Sequence, residues 1–251
     1  MLETHGVTRR FAGVQALSGV DLTIGQGGIT GVIGPNGAGK TTLFNCISGI
    51  LPISGGEIRF KGERIDGLRP DQISARGLVR TFQIARGFPR LTVLESLMLY
   101  GAAQPGEKLF HALFRTKASR LREAELLGKA MQIAARLKLT HVLNNKASEM
   151  SGGQKKLLEI GRALMRDPSL LLLDEPMAGV NPSLVREIGD RLLEIAKEGV
   201  TIVLIEHQMD LIARLCGHVV VMAEGQRMIE GTFDYVTSNV DVQNAYMGTR
   251  R

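Results

Sequence analysis

Ile29-Thr30-Gly31-Val32-Ile33, a short β-prone run, leads directly into Gly34-Pro35-Asn36-Gly37-Ala38-Gly39-Lys40-Thr41-Thr42. The second stretch has the form G-x-x-x-x-G-K-[ST], and the residues after it, up to Gly49, suit a helix. Strand, glycine-rich turn and helix in that order form a phosphate cradle. Gly34, Gly37 and Gly39 can take positive φ and wrap an anion without Cβ clashes. Backbone N–H groups within Gly34–Thr42, where Pro35 has none, and the helix N-terminus then face the α- and β-phosphates. Lys40 reaches the β and γ oxygens, and the Thr41 hydroxyl faces Mg²⁺. A glycine-rich turn that binds nothing is the alternative, and the flanking strand and helix weigh against it. The stretch implies binding of a nucleoside triphosphate.

At 251 residues the chain suits one large α/β domain, or a core with a smaller subdomain. Its 44% apolar content is that of a globule with a full core. No apolar run approaches the roughly 18 residues of a spanning helix. Leu170–Leu173, Val200–Ile205 and Val219–Met222 have the length of buried parallel strands instead. The opening Met1-Leu2-Glu3-Thr4-His5 carries no basic region followed by an apolar one, so no signal peptide is expected. Cys46 and Cys216 fit no metal or disulfide spacing and read as reduced core residues of a cytoplasmic protein. A net charge of +6 favours anionic surroundings without choosing among nucleotide, nucleic acid and membrane. With 4% aromatic residues and no Trp, a base-stacking platform is not supported and no nucleic-acid partner is expected.

Working outward from the loop, the chain before Ile33 reads as strands, with alternation at Val20, Leu22 and Ile24 and turns at Gly13, Gly19 and Gly25–Gly28. Gly55–Gly62 reads as a further strand and turn. From about Arg90 to Met150 helical spacing takes over, as in Leu121, Leu126, Ala130, Ile133, Ala134 and Leu137. After Gly153 helices and strands alternate: helix 154–165, strand 170–173, helix 182–197, strand 200–205, helix 209–215 and strand 218–222. The expected fold is therefore α/β, a phosphate-loop NTPase core with a mostly parallel sheet and an antiparallel β subdomain, plus an inserted helical subdomain. Residues 1–89 and 151–251 are assigned to the core and 90–150 to the insert.

Two further motifs carry chemistry. Leu170-Leu171-Leu172-Leu173 ends in Asp174-Glu175, which puts Asp174 at the carboxyl end of a buried strand, where open α/β sheets bind ligands. Asp174 there suits Mg²⁺. Glu175 suits orienting and deprotonating the water that attacks the γ-phosphate. Met150-Ser151-Gly152-Gly153-Gln154 precedes a helix, with Ser151 as N-cap and the glycines leaving backbone N–H groups open to an anion. A second phosphate cradle suggests that two protomers share each nucleotide.

Together these residues resemble the ATP-binding cassette ATPases over essentially the whole chain. Ser151–Gln154 resembles the signature sequence, and Asp174-Glu175 the Walker B motif. Thr81-Phe82-Gln83 resembles the Q-loop, which implies that Gln83 contacts Mg²⁺ and the lytic water. Phe11 resembles the aromatic that stacks on adenine, with a core position as its other reading. His207, in Ile205-Glu206-His207, resembles the switch histidine at the γ-phosphate, and Pro176–Asn181 occupies the D-loop. Met150 stands where Leu is commoner in the family, and Asn181 where many members carry Asp. The resemblance implies a head-to-tail dimer in which Ser151, Gly152, Gly153 and Gln154 of one protomer close over ATP held by the other.

Within the family, Gly77–Gln83, the long helical insert, Asp174–Pro182, Ile205–Met209 and the ending Asp241–Gly248 resemble the ATPase subunits of branched-chain amino acid importers. That implies a second cassette ATPase, two membrane permease subunits and a periplasmic substrate-binding protein as partners. It also implies a place on the inner face of the cytoplasmic membrane. Amide or urea importers, lipopolysaccharide exporters and soluble cassette switches remain as alternatives. The basic-apolar segment 106–122 has two readings, a solvated helical face over a buried stripe and a surface that touches the membrane or a membrane subunit.

Overall fold

The structure is a computed structural model and describes residues 1–81, 88–102 and 117–247. It divides into two compact units, one comprising residues 1–83, 169–176 and 192–251, the other 84–168 and 177–191.

In the first unit, β1 (Leu2–Phe11) and β2 (Val14–Ile24) form a hairpin around Ala12-Gly13, both at positive φ as a two-residue turn demands. Gly19, expected in a turn, lies inside β2 instead. The register slips by one residue between Val7↔Val20 and Thr8↔Ser18, and Gly19 is the extra residue, at φ 84°. It makes a β-bulge, which needs the same backbone freedom as a turn. With β4 (Gly55–Phe60) and β5 (Glu63–Arg64) the hairpin builds an antiparallel sheet in the order β2-β1-β4-β5.

The second sheet of this unit uses the fully buried runs. β3 (Ile29–Ile33), β6 (Leu78–Arg80), β7 (Leu170–Asp174), β8 (Thr201–Ile205) and β9 (His218–Ala223) lie parallel, and β10 (Gln226–Gly231) adds an antiparallel edge. The order is β10-β9-β3-β8-β7-β6. Every residue of β3, β7 and β8 is buried, which explains the apolar runs Leu170–Leu173 and Ile202–Ile205. Leu43, Phe44 and Ile47 of α1 (Lys40–Ile47) join Val20, Leu22 and Ile24 of β2 and Leu172, Val203 and Ile205 in one core. Complete burial of Phe44 alone stabilises by about 1.5–3 kcal/mol. Short helices α2 (Pro70–Ala75), α7 (Met209–Leu215), α8 (Phe233–Thr237) and α9 (Val240–Met247) complete the unit.

The register decides where chemistry can occur. Val32 pairs with Ile205, and Ile205 with Asp174, so one row crosses β3, β8 and β7. Gly34, His207 and Glu175 follow one or two residues later, at the same carboxyl edge.

The second unit contains α3 (Val93–Leu99), α4 (Lys117–Arg136), α5 (Gly152–Leu164) and residues 182–191 of α6 (Pro182–Lys197). Thr92 and Glu95 cap α3 reciprocally, the Thr92 hydroxyl accepting from the Glu95 amide at 3.2 Å and the Glu95 carboxylate from the Thr92 amide at 2.8 Å. On α4 the expected stripe buries Leu126, Ala130, Ile133 and Ala134, whereas Leu121 is exposed. Beyond the boundary at residue 150 expected from sequence, α5 clusters with the helical unit. Its Gly161 lies so close to Leu97, Leu137 and Ile133 that a Cβ would sit 2.9 Å from Leu97. Among the described residues no helix is long and apolar enough to cross a membrane.

Candidate nucleotide site

The loop between β3 and α1 is held by contacts that only glycine permits. At Gly34 (φ 147°) a Cβ would lie 2.0 Å from the Met222 carbonyl oxygen. At Gly39 (φ 94°) it would lie 2.7 Å from that of Ala16. Gly39 is also the N-cap of α1 and offers no side chain, and the first turn contains no acidic residue. The first amides of α1 thus have neither a capping oxygen nor a local carboxylate, which leaves the positive helix end to an external anion. Lys40 is buried and donates to the carbonyls of Gly34 (2.7 Å) and Pro35 (3.0 Å). Burial pulls its pKa down, while Glu175 and Asp174 pull it back up. The ammonium therefore sits within the field of both carboxylates.

Asp174, at the end of β7, is almost wholly buried. Its Oδ2 accepts from Arg80 Nη2 at 2.9 Å, and its Oδ1 is buried without a hydrogen bond among the described residues. Burial raises its pKa, Arg80 lowers it, Glu175 raises it, and the Thr41 hydroxyl is near enough to lower it. A buried carboxylate with one oxygen left over, near the Thr41 hydroxyl and at the carboxyl edge that holds the phosphate cradle, fits Mg²⁺. That ion binds proteins through one or two carboxylates and takes its remaining ligands from phosphate and water. Glu175 adopts φ 49°, an uncommon conformation for a non-glycine residue, and its amide donates to Ile205 O at 2.9 Å. Its Oε1 lies 2.9 Å from His207 Nε2.

Lys40, Thr41, Asp174, Glu175 and His207, inferred separately from sequence, thus converge in one unit. Gln83 lies outside the described residues, as do Phe82 and residues 106–116 of the basic segment; Arg122 pairs with Glu125 at 2.9 Å. Phe11 ends β1, part-exposed, with the Arg9 guanidinium 4.6 Å from its ring centroid. The sequence reading did not assign a role to Arg80. Tyr246 on α9, quoted in the Asp241–Gly248 stretch without a site role, has its phenol at the Gly34 amide and its pKa pushed up to about 12 by burial. Neither contact has a local sequence signal.

Ser151 and its neighbours belong to the helical unit. Ser151 caps α5, its hydroxyl accepting from the Gln154 amide at 3.3 Å while Gln154 Oε1 accepts from the Ser151 amide at 2.9 Å. The Gln154 side-chain oxygen is therefore engaged in the cap. Gly152 has open space where a Cβ would point, but at Gly153 that atom would lie 1.6 Å from Leu184. Asn181 Oδ1 accepts from the Leu184 amide at 3.0 Å and the Ser183 hydroxyl at 2.8 Å. It caps α6 with Pro182 at the first helical position, a pairing legible in Asn-Pro.

The sequence profile of the ABC transporter family matches residues 17–178. The chain belongs to the ABC transporter family. A probable branched-chain amino acid transport ATP-binding protein, LivG, from Archaeoglobus fulgidus is 39% identical over 250 residues, covering 100% of this chain and 96% of the relative. The ADP conformation of MJ1267, an ATP-binding cassette of an ABC transporter, superposes with a TM-score of 0.86 at 39% identity, covering 99% of this chain and 98% of that one. The dimeric ABC transporter cassette MJ0796 superposes with a TM-score of 0.76 at 25% identity, over 93% and 99% of the two chains. This chain is an ABC ATPase subunit homologous to ATP-binding proteins of branched-chain amino acid transport.

Proposed function

We propose that this chain hydrolyses ATP to drive branched-chain amino acid import, acting as one of two cassette ATPases on the inner face of the cytoplasmic membrane. Two permease subunits and a periplasmic binding protein complete the assembly in this reading. Full-length similarity to a branched-chain amino acid transport ATP-binding protein carries it.

In this reading Phe11 stacks on adenine and the amides from Asn36 to Thr42 hold the phosphates. Lys40 exchanges the Gly34 and Pro35 carbonyls for the β and γ oxygens, and its charge is already desolvated when the phosphates arrive. Thr41, Asp174 and Gln83 would hold Mg²⁺, which supplies charge neutralisation on the β and γ oxygens. Glu175 accepts a proton from the attacking water, and His207 holds the Glu175 carboxylate through the 2.9 Å contact. Ser151, Gly152, Gly153 and Gln154 close over the nucleotide of a partner cassette, a role that a dimeric neighbour in this fold supports. ATP then binds the closed dimer better than the open one, and loss of the γ-phosphate removes that difference.

Labelled leucine uptake in a strain lacking the gene tests this. Wild-type chain should restore uptake and Glu175→Gln should not. Normal uptake without the chain would refute the import assignment and leave the ATPase chemistry standing.

A further inference from the structure

Arg80 closes β6, and its guanidinium joins three elements. Nη2 donates to Asp174 Oδ2 on β7 at 2.9 Å. Nη1 donates to Asn45 Oδ1 at 2.6 Å on α1 and to Ser48 Oγ at 3.3 Å just past its end. The Phe44 ring lies 5.9 Å from the guanidinium carbon. Both partners of the ion pair are buried, with side chains 7% and 1% exposed.

A buried ion pair is a poor stabiliser, because desolvating two charges offsets most of their attraction and an apolar pair serves as well. Its value here is directional. Holding Oδ2 on one arm of a fork whose other arm is anchored to α1 fixes the carboxylate plane relative to the helix that begins at the phosphate loop. Oδ1 is then the acceptor without a hydrogen bond among the described residues. We propose that Arg80 is a positioning residue for the Mg²⁺ site, fixing Asp174 by Oδ2 so that Oδ1 is left for the metal while Asn45 and Ser48 lock the guanidinium. The inference rests on the reading of Asp174 as the Mg²⁺ carboxylate.

Lysine can keep the charge but cannot span both arms of the fork, so the geometry ranks the variants. Outer partners that orient a metal ligand are typically worth about 10–100-fold in metal affinity.

The test measures binding of a non-hydrolysable ATP analogue to the full chain, with EDTA and with Mn²⁺, and Mn²⁺ affinity of the ternary complex by electron paramagnetic resonance. In Arg80→Gln, analogue affinity in EDTA should stay within about twofold of wild type while Mn²⁺ affinity falls about tenfold or more. Arg80→Lys should recover part of that loss. Asn45→Ala, which keeps the ion pair and removes one anchor, should lose Mn²⁺ affinity by a smaller factor. Should Arg80→Gln fail to fold, Asn45→Ala decides. Wild-type Mn²⁺ affinity in the folded variants, or a parallel loss of analogue affinity in EDTA, overturns the inference. Wild-type chain that binds no analogue under either condition contradicts the nucleotide-site reading itself.

Discussion

Replacing Glu175 with Gln removes a proton acceptor and a charge felt by Lys40 and Asp174 while keeping the side chain's shape. The backbone there is set by φ 49° and by the amide bond to Ile205, neither of which depends on the carboxylate. The side chain is 27% exposed and pairs with a His207 that is 42% exposed. Such a pair is worth less than about 1 kcal/mol, and glutamine keeps a hydrogen bond to the imidazole. Thermal midpoint should therefore move by less than about 4 °C. General-base catalysis contributes about 10²–10⁴ in rate, so kcat should fall by that factor, or about 2.7–5.5 kcal/mol. Glu175→Gly separates the two effects. It relieves left-handed strain of about 1–2 kcal/mol and gives up the pair with His207. It should be as inactive as Gln yet melt no lower than wild type. Steady-state ATPase, ATP binding and calorimetry on the three proteins read all of this. A kcat for Glu175→Gln within threefold of wild type would refute the assignment of the base.

Gly153→Ala should destabilise the helical unit by about 1–3 kcal/mol because Leu184 must repack, and Leu184→Ala should rescue it; Gly152→Ala should leave the melting curve unchanged. Equal costs for the two glycines in thermal denaturation would contradict the packing described. Cys46 and Cys216 are pushed up to about 11 and about 12 by burial. Because these values exceed the ordinary 9.0, the stability linked to the thiols is whole below pH 9 and is lost as pH rises through 11 to 12. Native protein at pH 8 should resist iodoacetamide and react once denaturant is added; rapid native labelling would count against their burial.

What the sequence made legible was local. Gly34–Thr42 carries its own turn chemistry and helix start, Leu170–Asp174 its own burial, and Ser151–Gln154 its own cap. Each is specified within a dozen residues, and the first two located groups that converge in one unit. Gly19 shows the limit, since turn and bulge both require positive φ and only the partner strand distinguishes them. Leu121 has the right spacing for the buried stripe but lies near the start of α4 and is exposed. The Arg80–Asp174 pair spans 94 positions, and nothing local to Arg80 announces which carboxylate its strand will meet. Placement of α5 with the helical unit likewise depends on Gly161 meeting Leu97 and Leu137.

In the proposed function this ATPase powers a membrane importer. The most direct test of that role is mass spectrometry of what co-purifies with Glu175→Gln protein from native membranes in ATP and Mg²⁺. Two permease subunits and a second cassette ATPase are the expected companions. Recovery of soluble partners alone, with no membrane protein, would contradict that role.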